Sequence, residues 1–318
     1  MTLKAKAISV DDSLAACEGA YSICTTKGYS ADLRIFVNWC TERDALWLPA
    51  APAIVAAFID DQVTRYRVST IKRRLCAIGF AHRMHDLPTP TDANIVRLAV
   101  RRATRQRVSR PQQKRGLTHT IRADIMAARP DTLAGLRDSA LISVGYDTLC
   151  RSSELSAMRI EHLDLQHEGT GGILIPRTKA DVAGEGRIAH LSPHTVRLLR
   201  QWIDEAGLAS GPLFRSLHLH RVADGPLSTS SIRRLVKRAT ERAGLDAALT
   251  AGLSGHSMRI GAAQDMMVAG FDALAIMQAG GWKSANVVLR YVENAATREL
   301  HERRWERLRG SICAVSAS

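Results

Sequence analysis

The stretch SGHSMRIGAAQDMMVAGFDALAIMQAGGWKSANVVLRYVENA, residues 254–295, holds His256, Arg259, Trp282 and Tyr291 in a pattern of three short helices. His256 and Arg259 are three apart, so a helix over 256–269 sets both on one face of its first turn. Gly270 is a natural stop for that helix, and Asp272 a natural N-cap for a short second one. Gly280-Gly281 breaks the second helix, and Ser284 can cap a third, from about Ala285 to Ala295. On this last helix Val288, Tyr291, Val292 and Ala295 form an i, i+3, i+4, i+7 stripe. The stripe turns Tyr291 inward, toward the body that carries His256. Taken singly, each residue has an ordinary explanation, because inward tyrosines and tryptophans commonly just pack.

The chain around this stretch has 318 residues, enough for two domains with separate cores. Apolar residues make up 46%, which argues for a globular rather than a disordered chain. The net charge of +13 favours a polyanionic partner. Six cysteines, at 17, 24, 40, 76, 150 and 313, are scattered and form no C-x-x-C pair. They fit reduced thiols in a cytoplasmic protein better than a disulfide or zinc framework. No apolar run approaches a membrane span, and residues 1–17 are too polar for a signal peptide, so no membrane role is expected.

Upstream, helical signals follow one another over residues 10–107. Ser30 is read as the cap of a helix with Leu33, Phe36, Val37 and Cys40 inward. Pro52 suits the first turn of another, with Ile54, Val55, Phe58 and Ile59 inward. Ser69 is read as the cap of a third, carrying Ile71, Leu75 and Ile78, and a fourth runs from about Asp92 to Gln106. Residues 1–107 thus read as an all-helical domain. Its charge is lopsided: residues 65–115 hold fourteen Lys/Arg against two acids, Asp86 and Asp92. Solvated helices normally mix signs. So one-sided a run points to phosphate contact, with Lys72, Arg73, Arg74, Arg83, Arg101, Arg102, Arg105 and Arg107 as candidate DNA-binding residues.

VSRPQQKRG, 108–116, is polar, aperiodic and basic, and reads as a linker able to lie along a DNA backbone. Residues 117–318 form the second domain. Helices are predicted near 121–128 and 132–148, then strands at 162–166, 172–177 and 187–191, the last two joined by the hairpin-type loop TKADVAGEG. Further helices follow near 193–206 and 230–243. The fold class is mainly α: an all-helical first domain, then a mixed α/β domain with one small antiparallel sheet. His218 and His220 suggest a metal only superficially, since no third ligand is near; they read as a loop pair, and no metal is expected.

Arg151 and Glu154 stand three apart at a predicted helix start, and Lys179 sits at the edge of the hairpin loop. With His256, Arg259, Trp282 and Tyr291 they resemble the signature of the tyrosine recombinases, also called the phage integrase family. The resemblance covers residues 117–295 in order and spacing: the R-S-S-E box, the hairpin lysine, H-S-M-R-I-G-A-A, and A-G-G-W with a tyrosine nine residues after the tryptophan. The basic helical first domain resembles the family's core-binding domain. Many members carry His or Lys after the second arginine and His at the tryptophan position; here Ile260 and Trp282 stand there, as in a narrower group.

The resemblance implies a site-specific recombinase that needs no cofactor. The Tyr291 hydroxyl would attack a DNA phosphodiester, giving a 3′-phosphotyrosyl link and a free 5′-hydroxyl, which then attacks the link on a partner strand. Arg151 and Arg259 would clamp the non-bridging oxygens with paired donors. His256 and the Trp282 indole would add hydrogen bonds, and Lys179 would protonate the departing 5′-oxygen. Glu154, of the transition state's own sign, would orient His256 or a nearby backbone. The implied partners are double-stranded DNA with an inverted-repeat recombination site and three further copies of the chain, a homotetramer on two DNA sites. The tail, 297–318, would pack into a neighbouring protomer, or alternatively fold back on its own domain.

Other readings stay open at this level. Arg151–Glu154 can be a surface ion pair, and Trp282 can be packing alone. Arg177 and Arg187 flank the same loop as Lys179, and Tyr21, Tyr29, Tyr66 and Tyr146 compete as nucleophiles. A type IB topoisomerase-like enzyme shares the chemistry, and a non-catalytic DNA-binding regulator shares the fold.

Overall fold

The computed structural model describes residues 9–15, 17, 19–107, 114–165, 169–176, 186–218, 221–293, 301, 302, 304 and 305. The chain divides into two compact units, Met1–Pro111 and Gln112–Ser318.

Every regular element described in the first unit is helical: α1 (Val10–Ala15), α2 (Ile23–Thr41), α3 (Pro52–Gln62), α4 (Val68–Met84) and α5 (Asn94–Gln106), besides one short 3₁₀ turn. Its core is aromatic and β-branched, with Phe36, Phe58, Ile59, Ile71 and Ile78 almost fully buried. Three start points differ from the sequence reading. The cap of α2 is Ser22, whose side chain accepts from the Thr25 amide, so Ser30 lies mid-helix. Helix α4 begins one residue before Ser69, with Arg67 at the N-cap position. Asp92 belongs to a short 3₁₀ turn, Pro90–Asp92, and α5 starts after it. Cap residues recur every few positions in such sequences, and packing selects among them. The core also holds a histidine: His82 Nδ1 bonds the Ile78 carbonyl at 2.8 Å, and Nε2 accepts the Ala50 amide at 2.9 Å. A ring nitrogen that accepts an N–H carries no proton, so His82 is neutral, and burial lowers its pKa accordingly.

The second unit is built round α7 (Leu133–Asp147). Its residues Gly135 to Gly145 are all buried, because it is wrapped on every side. Helix α6 (His119–Ala127) precedes it and α8 (Ser152–Ala157) follows. A three-stranded antiparallel sheet comes next, β1 (Leu163–Asp164), β2 (Gly171–Ile175) and β3 (Arg187–Leu191), in that spatial order. Ile173 pairs with Ala189 at its centre, and the inward side of the sheet joins the main core. Helix α9 (Pro193–Glu205) carries the fully buried Trp202, whose indole donates to the Leu213 carbonyl at 2.9 Å. A second sheet, β4 (Arg215–His218) with β5 (Arg221–Pro226), was not anticipated. It corrects the reading of His218 as a loop residue; His220 lies outside the described residues. The segment is short and weakly apolar, so its pairing is set by the neighbouring core rather than by its own pattern.

Helices α10 (Thr229–Arg242), α11 (Ala247–Gly252), α12 (Ser257–Val268), α13 (Ala273–Gly280) and α14 (Ala285–Val292) complete the described fold. The last three form a separate apolar cluster with Leu149, centred on Ile276, Trp282, Val288 and Val292. Backbone bonds from Arg115 to Gly252 (3.1 Å) and from Leu117 to Ser257 (2.8 Å) fix the entry of this unit against α11 and α12. Residues 108–113 of the expected linker lie outside the described residues, as do Ala295 and most of the tail. No helix among the described residues is long and apolar enough to cross a membrane.

Candidate active site

His256 occupies the N-cap position of α12, and Arg259 lies one turn on. Tyr291 comes from α14, which Val288 and Val292 anchor against α12. This places His256 Nε2 2.7 Å from the Tyr291 hydroxyl. The tyrosine's own carbonyl accepts from Gln264 of α12 at 3.1 Å, so the backbone of α14 is tied down at the same residue. Burial, and then the nearby Arg259 and Arg151 charges, lower the His256 pKa to about 4. The imidazole is therefore neutral at pH 7 and can accept the phenolic proton.

Arg259 is fully buried, at 0% exposure. One terminal nitrogen donates to the Leu149 carbonyl, while Nε and the other terminal nitrogen have no partner. Leu149 sits at φ +52°, a left-handed conformation uncommon for such a side chain, and its burial in the α12–α14 cluster helps hold it there. The guanidinium also lies 3.9 Å from the centre of the Trp282 ring. Burial lowers the Arg259 pKa to about 10, with Arg151 the next cause, so it remains cationic at neutral pH. A desolvated cation with two idle donors is a seat for an anion.

Trp282 follows a turn that only glycine permits. Gly281 is at φ +64°, and a Cβ on Gly280 would lie 2.1 Å from the Trp282 ring. The indole is 7% exposed, packs at 5.6 Å between centroids against Tyr291, and leaves Nε1 buried without a partner. That N–H is a donor still open to a ligand, although Trp39 in the first unit's core has the same unpartnered indole, so packing also stays consistent with it.

Arg151 is the N-cap residue of α8. Glu154 takes its backbone amide at 2.9 Å and its guanidinium at 2.6 Å. The Glu154 side chain is only 4% exposed and that of Arg151 26%, so this is no surface ion pair. Of the two roles left open for Glu154, the geometry favours the nearby backbone; it grips Arg151. Lys179 lies outside the described residues.

Among the rival tyrosines of this unit, Tyr146 donates to Asp265 at 2.5 Å, and burial strongly raises its pKa. Its proton is held where a nucleophile must lose it. Arg187 was visible only as a charge beside the loop. It is the first residue of β3 and bonds carbonyls of two other segments, which sequence spacing gives no means to find. Among the described residues no group of three or more His, Cys, Asp or Glu is arranged to hold a metal.

In the first unit Lys72, Arg83, Arg101 and Arg105 are exposed. Arg102 pairs with Asp60 at 3.0 Å, Arg73 with the buried Asp32 at 2.7 Å, and Arg107 donates to the Thr64 carbonyl. Arg74 corrects the sequence reading: it is 4% exposed, bonds Gln62, and lies 4.0 Å over the Tyr66 ring. The stripe that buries Ile71, Leu75 and Ile78 also takes Arg74 inward, where Asp32 offsets its charge at 3.8 Å.

Residues 115–298 match the model of the phage integrase family. The chain is 32% identical to recombinase Cre of Escherichia phage P1, over 86% of this chain and 85% of that protein. It is also 32% identical to an integrase/recombinase XerD homolog of Selenomonas ruminantium, over 85% of this chain and 81% of the relative. In fold it is similar to the XerH site-specific recombinase bound to a palindromic difH substrate (TM-score 0.65, 16% identity, 94% of this chain and 85% of that one). The Tn1549 transposon integrase in complex with transposon right end DNA is similarly close (TM-score 0.65, 15% identity, 94% and 98% covered).

Proposed function

The chain belongs to the phage integrase family and is a tyrosine site-specific recombinase, and we propose that it works through Tyr291 as nucleophile. The 2.7 Å contact between that hydroxyl and neutral His256, beside two arginines with anchored guanidiniums, carries this reading.

The scissile phosphate sits against Arg259 Nε and its free terminal nitrogen, with Arg151 completing the clamp. The Trp282 indole N–H donates to a non-bridging oxygen. A phosphate in this seat brings negative charge beside His256 and raises its pKa, so the imidazole becomes a better acceptor once substrate is bound. The tyrosine oxygen attacks phosphorus as its proton passes to His256 Nε2. The bond to the 5′-oxygen breaks, and that oxygen takes a proton from Lys179. The product is a 3′-phosphotyrosyl ester and a 5′-hydroxyl. Attack by a 5′-hydroxyl of the partner strand reverses each transfer, so no cofactor is consumed. Glu154 contributes by holding Arg151 in place.

The exposed arginines of α4 and α5 supply phosphate contacts along double-stranded DNA. The site is an inverted repeat, and four copies act on two such duplexes. Cys17, Cys24, Cys40, Cys76 and Cys150 are free thiols, which supports a reducing, cytoplasmic setting. Relatives named as recombinases support strand exchange over simple topoisomerase relaxation.

The test is to trap covalent complexes on genomic or plasmid DNA and sequence the ends. Attachment at 3′-phosphates within one recurring inverted repeat is expected; 5′ attachment, or none, refutes the proposal. Sulfur in place of the bridging 5′-oxygen leaves without acid help. It should restore cleavage to Lys179→Ala but not to Arg151→Ala or Arg259→Ala.

A further inference from the structure

Arg187 opens β3, and its guanidinium leaves the sheet entirely. Nη1 donates to the Ala279 carbonyl at 2.9 Å, in the last turn of α13. Nη2 donates to the Thr148 carbonyl at 2.6 Å, at the C-cap of α7, and lies 3.6 Å from the Cys150 sulfur. The two carbonyls each stand three residues before a member of the constellation: Thr148 before Arg151, Ala279 before Trp282. Between Thr148 and Arg151 lies Leu149, the acceptor for Arg259. One planar fork therefore spans the two backbone turns that aim Arg151, Arg259 and Trp282.

The fit around it is close. A Cβ on Gly281 would meet Arg187 Cδ at 3.0 Å and Nε at 3.1 Å, so the αL turn before Trp282 lies directly on this side chain. Cys150 is fully buried, and burial pushes its thiol up to about 12, so it offers Arg187 no thiolate at neutral pH. No acid pairs with Arg187 among the described residues; only neutral carbonyls and the sulfur take its donors. Its charge is felt by Arg259, whose proton affinity it helps to lower.

We propose that Arg187 is a positioning residue for the strand-cleavage step, cross-linking the turns that precede Arg151 and Trp282 so that the phosphate clamp is assembled before DNA arrives. The proposal rests on the reading of Tyr291 as nucleophile. A clamp of this kind depends on placement within a fraction of an ångström, and a displacement of about 1 Å costs roughly 10²-fold in rate. Lysine keeps the charge but replaces the planar fork by a single rotatable ammonium, so it holds the two carbonyls less rigidly.

The test uses the full-length protein and a nicked duplex bearing the sequence recovered from wild-type adducts. For Arg187→Ala, single-turnover cleavage at saturating DNA is expected to fall roughly 10²-fold, while the Kd for DNA moves less than about threefold. Arg187→Lys, the variant safest for folding, should recover about tenfold of that loss. Added guanidinium ion should raise cleavage by Arg187→Ala saturably at millimolar concentrations and leave wild type unchanged. A residue that merely stabilises the fold gives the opposite: loss in proportion to DNA binding and to folded fraction, no rescue by lysine, and further loss with guanidinium. That pattern, or cleavage by both variants within threefold of wild type, overturns the proposal. Wild type that forms no tyrosyl adduct overturns the reading beneath it as well, which separates the two failures.

Discussion

Two arginines show how differently the two units use one side chain. Arg105 of α5 is exposed on a helix whose buried face is Val96, Ala99 and Ala103. Arg259 of α12 is fully buried, anchored by one bond and left with two idle donors. The first kind of arginine acts through charge, one of many, and is screened by salt. The second acts through geometry in a dry site, where each donor is worth far more. Removing one of the first kind should weaken binding a little; removing one of the second should stop chemistry while DNA still binds.

Arg259→Lys should have the largest effect. The charge stays but the bidentate face is lost, and we expect cleavage to fall by about 10²–10³-fold with DNA affinity nearly unchanged, read by single-turnover adduct formation. Next is Glu154→Gln, which keeps the shape but weakens the grip on Arg151. Cleavage should fall by roughly tenfold, and the cost should vanish in an Arg151→Ala background, because the two act as one unit.

The first unit predicts a smaller and different effect. Arg101→Ala or Arg105→Ala should weaken DNA binding a few-fold, alike across sequences, and reduce the slope of log affinity against log salt by about one. Arg74→Met should leave that slope alone and change the unfolding midpoint instead, because Arg74 is buried against Tyr66 and Gln62.

Acid treats the units alike. His82 and His256 both have lowered pKa values in the folded chain, His256 to about 4. The unfolded chain then binds more protons than the folded one on acidification. Stability from these groups is full above the ordinary histidine value of about 6.5 and is lost as pH falls from there toward the folded value. The thermal midpoint should drop across that window, and His256→Gln should flatten part of the drop above pH 4.

The same contrast explains what could be read from the sequence. The order His256, Arg259, Trp282, Tyr291 was legible because helix periodicity and the Gly270 and Gly280-Gly281 stops are local signals. Asp272 does cap α13, accepting from the Ala275 amide, and Gly281 is left-handed as its place in the turn demands. The excess of arginine was legible, but not which members face out: Arg73 and Arg74 are neighbours in sequence, and only one is exposed. Arg187 and the Leu149 carbonyl were beyond reach, because their bonds join segments about 90 and 110 residues apart that only the tertiary fold brings together. The β4–β5 hairpin was missed for a related reason, its strands being too polar to declare themselves.

Tyr291→Phe asks whether the Tyr291 hydroxyl is the nucleophile. The change removes one oxygen and leaves the ring in place against Trp282. The variant should bind DNA as wild type does and yield no protease-sensitive 3′ adduct on a nicked duplex. An adduct from Tyr291→Phe, mapped to any other residue, would contradict that role for Tyr291.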